Sequence, residues 1–183
     1  NMTPREWTEL AQLIQRSYSD YDGFVISHGT DTLAYAAAAL SCLIQGADKP
    51  IVLTGSQLPM QAENSDAKRN LLDAFHAACS TLCGVAVVFC GRIIDGRCAK
   101  KVHTRHIDAF RSMGRPDIGS ISADGTVVLA AQEESCAPVF FNRMDTAVAA
   151  VKLIPALDPD ILDFAAQKCR VLIIEGFGTG GLP

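Results

Sequence analysis

No stretch of the 183 residues approaches the ~20 consecutive apolar residues that a membrane-spanning helix needs, and no charged segment followed by an apolar core opens the chain. The sequence as it stands therefore carries no membrane or export signal. Basic residues are not in excess: 16 Lys and Arg against 20 Asp and Glu leave a net charge of −4, which lacks the basic face that nucleic-acid binding requires. Blocks of like charge, low-complexity stretches and short-period repeats are also missing, which excludes disordered tails and solenoid arrays. The seven cysteines are odd in number and scattered, and Cys79 and Cys83, four apart, have no second ligand pair at zinc spacing. No disulfide and no metal is expected; set in runs such as VVFC and LSCL, these residues read as small buried hydrophobes of a reducing compartment.

What is present is a large apolar content, 49%, and one stretch that changes period at its middle. Phe24-Val25-Ile26 is a short apolar run suited to a buried parallel strand, and the Ala-rich segment from Leu33 to Leu43 reads as a buried helix ending at Gly46. The turn between them, His28-Gly29-Thr30-Asp31-Thr32, has Gly29 for a tight turn or a close backbone approach, and Thr30 or Asp31 as helix cap. It lies beyond the carboxyl end of a strand, at the positive end of a helix dipole. Ligands bind there in open α/β sheets, and anions are favoured. Upstream, Thr3, Pro4 and Glu6 form a capping box, and Trp7, Leu10, Leu13 and Ile14 give a helix an apolar stripe for packing on a sheet. Downstream, Ile51-Val52-Leu53 is a second strand, left through Thr54-Gly55-Ser56-Gln57 much as the first is left through His28 to Asp31. A helix from Ser65-Asp66 to about Leu82 and a strand from Gly84 to Cys90 follow.

The segment from Arg92 to Phe110 is polar and basic, with Asp95-Gly96 as its hairpin-turn signal, and reads as a loop over the carboxyl edge of the sheet. Short strands are expected between 111 and 130. From Ala147 a new unit begins: a strand to Ile154, a helix Asp160 to Lys168, and a strand Val171 to Glu175 that runs into Gly176-Phe177-Gly178-Thr179-Gly180-Gly181. The fold class is α/β, a mostly parallel sheet with helices on both faces plus the beginning of a smaller C-terminal α/β domain. The expected boundaries are 1–135 for the N-terminal domain, 136–146 for a linker and 147–183 for the second unit.

Six ordered stretches together are similar to the L-asparaginases of the bacterial type: NMTPxxW at the start, DGFVIxHGTDT, KPIVLTGSQ, SDxxxNLLDA, a DGR-containing loop followed by lysine, and EGFGTGG. That family also includes glutaminase-asparaginases and a subunit of a tRNA-dependent amidotransferase, and NMTP and TGSQ resemble its cytoplasmic type. The resemblance implies hydrolysis of the side-chain amide of asparagine to aspartate and ammonia through a threonine acyl-enzyme, with glutamine as a second candidate substrate. It also implies no cofactor, a cytoplasmic location and a homodimer or homotetramer to which the helix Leu33 to Leu43 contributes contacts. Within the Lys100-Lys101 pair it selects Lys101, followed by Val102 and His103, as the partner of Thr30 and Asp31. These three form the candidate catalytic set, and Gly29, Thr30, Asp31 and Ser56 the candidate substrate-binding set. The chemistry agrees, because acyl transfer needs a hydroxyl, a nearby base and a proton path. The resemblance further implies an acylated threonine in a T-G-G-T stretch, expected before Asn1 together with the first strand, so the chain reads as truncated at both ends. In the final glycine loop this sequence has Thr179 and Gly181 where the family often has asparagine. The two rival readings are the ammonia-generating amidotransferase subunit and a non-catalytic amino-acid-binding module.

Three other patterns are weaker. Gly176 to Gly181 matches the G-x-G-x-x-G spacing, but no helix follows it. His103 and His106 lack a third ligand, and Cys98, between Arg97 and Lys100, has no adjacent base.

Overall fold

The computed structural model describes residues 2–130, 137–178 and 180–181. Asn1, Cys136 and Thr179 lie outside them. The chain divides between Arg143 and Met144 into two compact units.

The first unit opens with helix α1, Pro4–Ser17, whose start carries the capping box: the Thr3 N–H donates to Glu6 Oε2 at 2.7 Å. α1 buries Ala11 and Ile14 and packs mainly on the second helix instead of the sheet. The expected stripe is thus narrower, and Leu13 stays half exposed. Strand β1, Phe24–Ser27, leads into α2, Thr30–Leu43, which is followed by a two-residue strand β2, Ile44–Gln45. Gly46, at φ +66°, turns the chain after β2 and does not cap α2, which ends three residues earlier at Leu43. Next come β3, Pro50–Thr54, α3, Ala67–Ala78, and β4, Gly84–Phe89. α3 stops short of Leu82 because the Ser80 hydroxyl takes over the last turn, donating to Ala77 O and accepting from Leu82 N.

The expected loop after β4 is the largest departure. Cys90 and Gly91 both have positive φ, +51° and +72°, the signature of a two-residue hairpin turn, and β5, Arg92–Asp95, returns antiparallel along β4 with Phe89 opposite Arg92. Asp95-Gly96 is therefore not the hairpin turn. It is the exit from β5, where a Cβ on Gly96 would lie 2.6 Å from Ser41 Oγ of α2. β6, Ala99–Lys101, pairs antiparallel with β7, Phe110–Ser112. The short strands expected beyond 111 are β8, Gly119–Ile121, and β9, Val127–Leu129, and β10, Val139–Phe140, pairs with β2.

The main sheet has the order β1-β3-β4-β5-β8-β9, with β1, β3 and β4 parallel and the rest antiparallel. It is an α/β fold. Val52, Ala86, Val88 and Ile93 form one core cluster with Ala74 and Ala77 of α3. Side chains alternate along strands, so Ile51, Leu53, Val85 and Val87 face the other way, toward α2, which touches β3 and β4 and buries Leu33, Ala36, Ala37, Leu40 and Leu43. The apolar face of α2 is thus spent inside its own unit, while Tyr35 points outward.

The cysteines are not the buried hydrophobes their runs suggested. Cys42, Cys79 and Cys90 are exposed and Cys83, Cys98 and Cys169 half-buried, none of the six in a disulfide, because they fall at helix ends, turns and strand exits and not in mid-strand.

The second unit is a single parallel β-α-β crossover: β11, Val148–Lys152, α4, Asp160–Lys168, and β12, Val171–Glu175, with Val148 opposite Val171 and Lys152 opposite Glu175. Lys152 Nζ closes the pair on Glu175 Oε1 at 2.8 Å. No helix among the described residues is long and apolar enough to cross a membrane.

Candidate functional site

The carboxyl ends of β1 and β3 lie side by side, with the His28 N–H donating to Thr54 O at 2.8 Å. Gly55 is what allows this: a Cβ there would sit 2.3 Å from His28 O, an approach no other residue tolerates. Gly29, by contrast, has an ordinary φ of −65° and open space where a Cβ would be, so the tight-turn reason for a glycine fails at that position. The gap it leaves is at the helix N-terminus itself. Gly29 is the N-cap of α2 and no side chain caps the helix, so Thr30 and Asp31 occupy its first turn instead of capping it. Their side chains are free for other partners.

That partner is Lys101. Its ammonium donates to Thr30 Oγ1 at 2.8 Å and to Asp31 Oδ1 at 2.7 Å, which brings together three residues spread over 71 positions. The lysine side chain is only 14% exposed and the Asp31 side chain 84%, so the cation is fixed from below and the carboxylate faces solvent. The Lys101 hydrogen bond, and then its charge, hold the Asp31 carboxyl below the usual carboxylate range.

Lys101 is delivered by the β6–β7 hairpin. Opposite it in the ladder stands Phe110, 1% exposed, whose ring packs against Phe89 at the end of β4 with centroids 4.8 Å apart. This aromatic pair ties the hairpin to the core. The connecting loop is held by Arg111, which grips the Asp108 carboxylate through two nitrogens at 2.6 and 2.7 Å and pulls that carboxyl below its ordinary range. An open cleft of about 710 Å³ lies beside the trio, between α2 (Asp31, Tyr35) and the hairpin (Lys101, His103, Thr104).

Ser56 is half-buried on the turn after β3, and its hydroxyl has no partner among the described residues. Its neighbour Gln57 is tied in: Thr30 Oγ1 donates to Gln57 Oε1 at 2.9 Å, and Gln57 Nε2 donates to Thr104 O and His106 O, each at 3.1 Å. Beneath it, the Asp66 carboxylate accepts from the N–H groups of Gln57 and Leu58, and Asn70 Nδ2 donates both to Asp66 and to Gly55 O at 3.0 Å. Sequence reading missed Gln57 and the structural roles of Asp66 and Asn70, although SDxxxNLLDA and TGSQ were the signal that contained them. His103 and His106 face each other with ring centroids 5.6 Å apart and planes tilted by 58°, and among the described residues no group of three His, Cys, Asp or Glu side chains is placed to hold a metal.

A hydroxyl, a carboxylate and a shielded ammonium meet beyond the carboxyl ends of the parallel strands β1 and β3, where open α/β sheets hold their ligands. Residues 1–134 match the family model for the N-terminal domain of asparaginase, and the chain belongs to the asparaginase family. It is 38% identical over 181 residues to an L-asparaginase of Thermococcus kodakarensis, covering 98% of this chain and 55% of that one. The solved structure of the L-asparaginase from Thermococcus kodakarensis superposes with a TM-score of 0.94 over 100% of this chain and 56% of that one, at 37% identity. L-asparaginase 1 of Escherichia coli K12 is 32% identical, with 100% of this chain and 55% of that one covered. One of the subunits of the glutamyl-tRNA(Gln) amidotransferase of Pyrococcus furiosus is 35% identical, with 100% and 45% covered. The chain thus spans about half the length of the curated relatives it matches.

Proposed function

We propose that the protein containing this chain hydrolyses the side-chain amide of L-asparagine to L-aspartate and ammonia, in the cytoplasm, with glutamine as the second candidate. The observation that carries the reading is the contact of one shielded ammonium with both Thr30 and Asp31 at a helix N-terminus, in a chain of the asparaginase family. In this proposal a threonine hydroxyl attacks the amide carbon. Lys101, in its uncharged form, takes up the proton through Thr30, and the tetrahedral intermediate expels ammonia as the leaving nitrogen receives a proton. Water then attacks the acyl-threonine ester and releases aspartate. The first-turn N–H groups of α2 and the gap at Gly29 suit the substrate α-carboxylate, Asp31 suits its α-ammonium, and Ser56 offers a hydroxyl that has no partner among the described residues. Homodimeric or homotetrameric assembly belongs to the same proposal and rests on family membership. Light scattering on the full-length protein should show more than one subunit, and a monomer at working concentration would remove that part.

Ammonia release from asparagine and glutamine by the full-length protein tests the reaction. Asp31→Ala should weaken aspartate binding, measured by calorimetry, by about 10–100-fold and lower turnover with it, because it removes a charged hydrogen-bond partner of the ligand. Unchanged affinity would sink the role given to Asp31. With the Asp31 carboxyl held below its ordinary range, the carboxylate persists through mildly acidic pH, and the pairing is lost only as pH falls through that depressed value. The similarity to a glutamyl-tRNA(Gln) amidotransferase component favours a second reading, in which the ammonia is passed on to a partner; release of free ammonia from asparagine without any partner argues against it.

A further inference from the structure

Gln57 has no part in the proposed reaction, yet its side chain is the second contact of the Thr30 hydroxyl, beside Lys101. Three distances fix which end of the amide faces where. Nε2 lies 3.1 Å from Thr104 O and 3.1 Å from His106 O, and backbone carbonyls only accept, so the NH₂ end must face them. Oε1 consequently faces Thr30 Oγ1 at 2.9 Å and, carrying no hydrogen, must accept. The single proton of the Thr30 hydroxyl is therefore committed to Gln57. What Thr30 offers Lys101 is a lone pair, and a charged ammonium, with three donors and no acceptor, takes it up at 2.8 Å while donating to Asp31. One proton arrangement satisfies every contact. The amide is held in register by its own backbone N–H, which donates to the two Asp66 oxygens at 3.1 and 2.9 Å.

We infer that Gln57 is a positioning residue: it holds the Thr30 proton away from Lys101 while the lysine is charged, and the Thr30–Gln57 hydrogen bond must break, turning the hydroxyl toward Lys101, each time a proton passes between the lysine and Thr30. This rests on the proton-handling role proposed above for Thr30 and Lys101. The charged and titratable groups around position 57 are Asp31 from α2, Lys101 from β6, Asp66 at the start of α3, and His103, Arg105 and His106 from the hairpin loop. All are retained when Gln57 is replaced.

Two replacements should act in opposite directions. Gln57→Met keeps the length and removes the acceptor, so the hydroxyl is free to donate to an uncharged Lys101 and favours that form. Gln57→Glu places a negative charge beside the ammonium and favours the charged form. In the full-length protein, the rising limb of ammonia release against pH should move down by about one pH unit in Gln57→Met and up by about one in Gln57→Glu. Limbs that stay at the wild-type pH, or that move together, overturn the inference, since side-chain bulk alone would lower kcat without opposed displacements. The same question can be put without turnover, by following the Lys101 Cε resonance in ¹³C-lysine-labelled protein against pH. If wild type releases no ammonia, the proposed reaction has failed, and opposed midpoints in the two variants still uphold the positioning role while equal midpoints overturn it. Gln57→Glu sets a carboxylate against two carbonyls and is the variant at risk of not folding. The pair Gln57→Met and Gln57→Met with Thr30→Val then decides: Gln57→Met should move the midpoint only when the Thr30 hydroxyl is present, and an equal displacement without it overturns the inference.

Discussion

Replacing Lys101 with alanine is expected to lower ammonia release from asparagine by about 10²–10⁴-fold, the usual loss when a general acid–base group is removed. At ~1.4 kcal/mol per decade this is about 3–5 kcal/mol of transition-state stabilisation. Aspartate affinity should change far less, because the helix N-terminus and the Asp31 carboxylate remain. Lys101→Arg sharpens the test. A guanidinium keeps the charge and can still pair with Asp31, but it does not give up a proton in proteins. If Lys101 acts only as a positive charge, the arginine variant should retain most of the activity; if it exchanges a proton with Thr30, arginine should be nearly as damaging as alanine. Turnover by Lys101→Ala within about threefold of wild type would remove Lys101 from the catalytic set, since acid–base removal costs at least about 10²-fold.

The second large effect is structural. Asn70 is 1% exposed, its Nδ2 donates to Gly55 O and Asp66 Oδ2, and its Oδ1 accepts the N–H of Cys90 at 2.9 Å. One side chain thus joins the turn after β3 to the hairpin turn after β4. Asn70→Ala leaves those partners without a hydrogen bond and opens a void beside them, so unfolding by urea should show a loss of about 3–5 kcal/mol. Asn70→Asp retains the acceptor for Cys90 but sets two carboxylates against each other. Its loss should be large at neutral pH and shrink as pH falls through the carboxylate range, where one of the pair takes up a proton. A pH-independent loss would mean that the Asp66 contact contributes little.

The contrast between Asn70 and Lys101 shows which information the sequence carries openly. β1, the turn and α2 were legible because an apolar run gives way to an Ala-rich segment at a polar hinge, and that change of period is written locally. Thr30 and Asp31 came with it. The β4–β5 hairpin was not legible, because Asp95-Gly96 is a strong turn signal and Cys90-Gly91 a weak one; what decides the matter is the pairing of Ile93 and Ile94 with Val88 and Val87, a contact between strands that no single segment encodes. Lys101 could be separated from Lys100 only by resemblance, since strand alternation turns one of two neighbouring lysines inward and the register is set by Phe110. Gln57 was overlooked for a similar reason. An amide after a turn has no periodic signature, and its orientation is fixed by carbonyls 47 and 49 residues away.

The ring contact between Phe89 and Phe110 has a bearing on how such a protein tolerates change in length. The hairpin that carries Lys101 is fastened from several sides: by that ring contact, by the ion pair of Arg92 in β5 with Asp108 at 3.5 Å, by Gln57 on the carbonyls of Thr104 and His106, and by the packing of β6 on α2. The connector is tied to the same frame, since the Gly96 N–H donates to Val85 O and the Met113 N–H, just past β7, donates to Cys98 O, each at 2.9 Å. A change of length around Gly96 to Cys98 would then be felt both in the shape of the cleft wall against α2 and in the reach of the ammonium to Thr30.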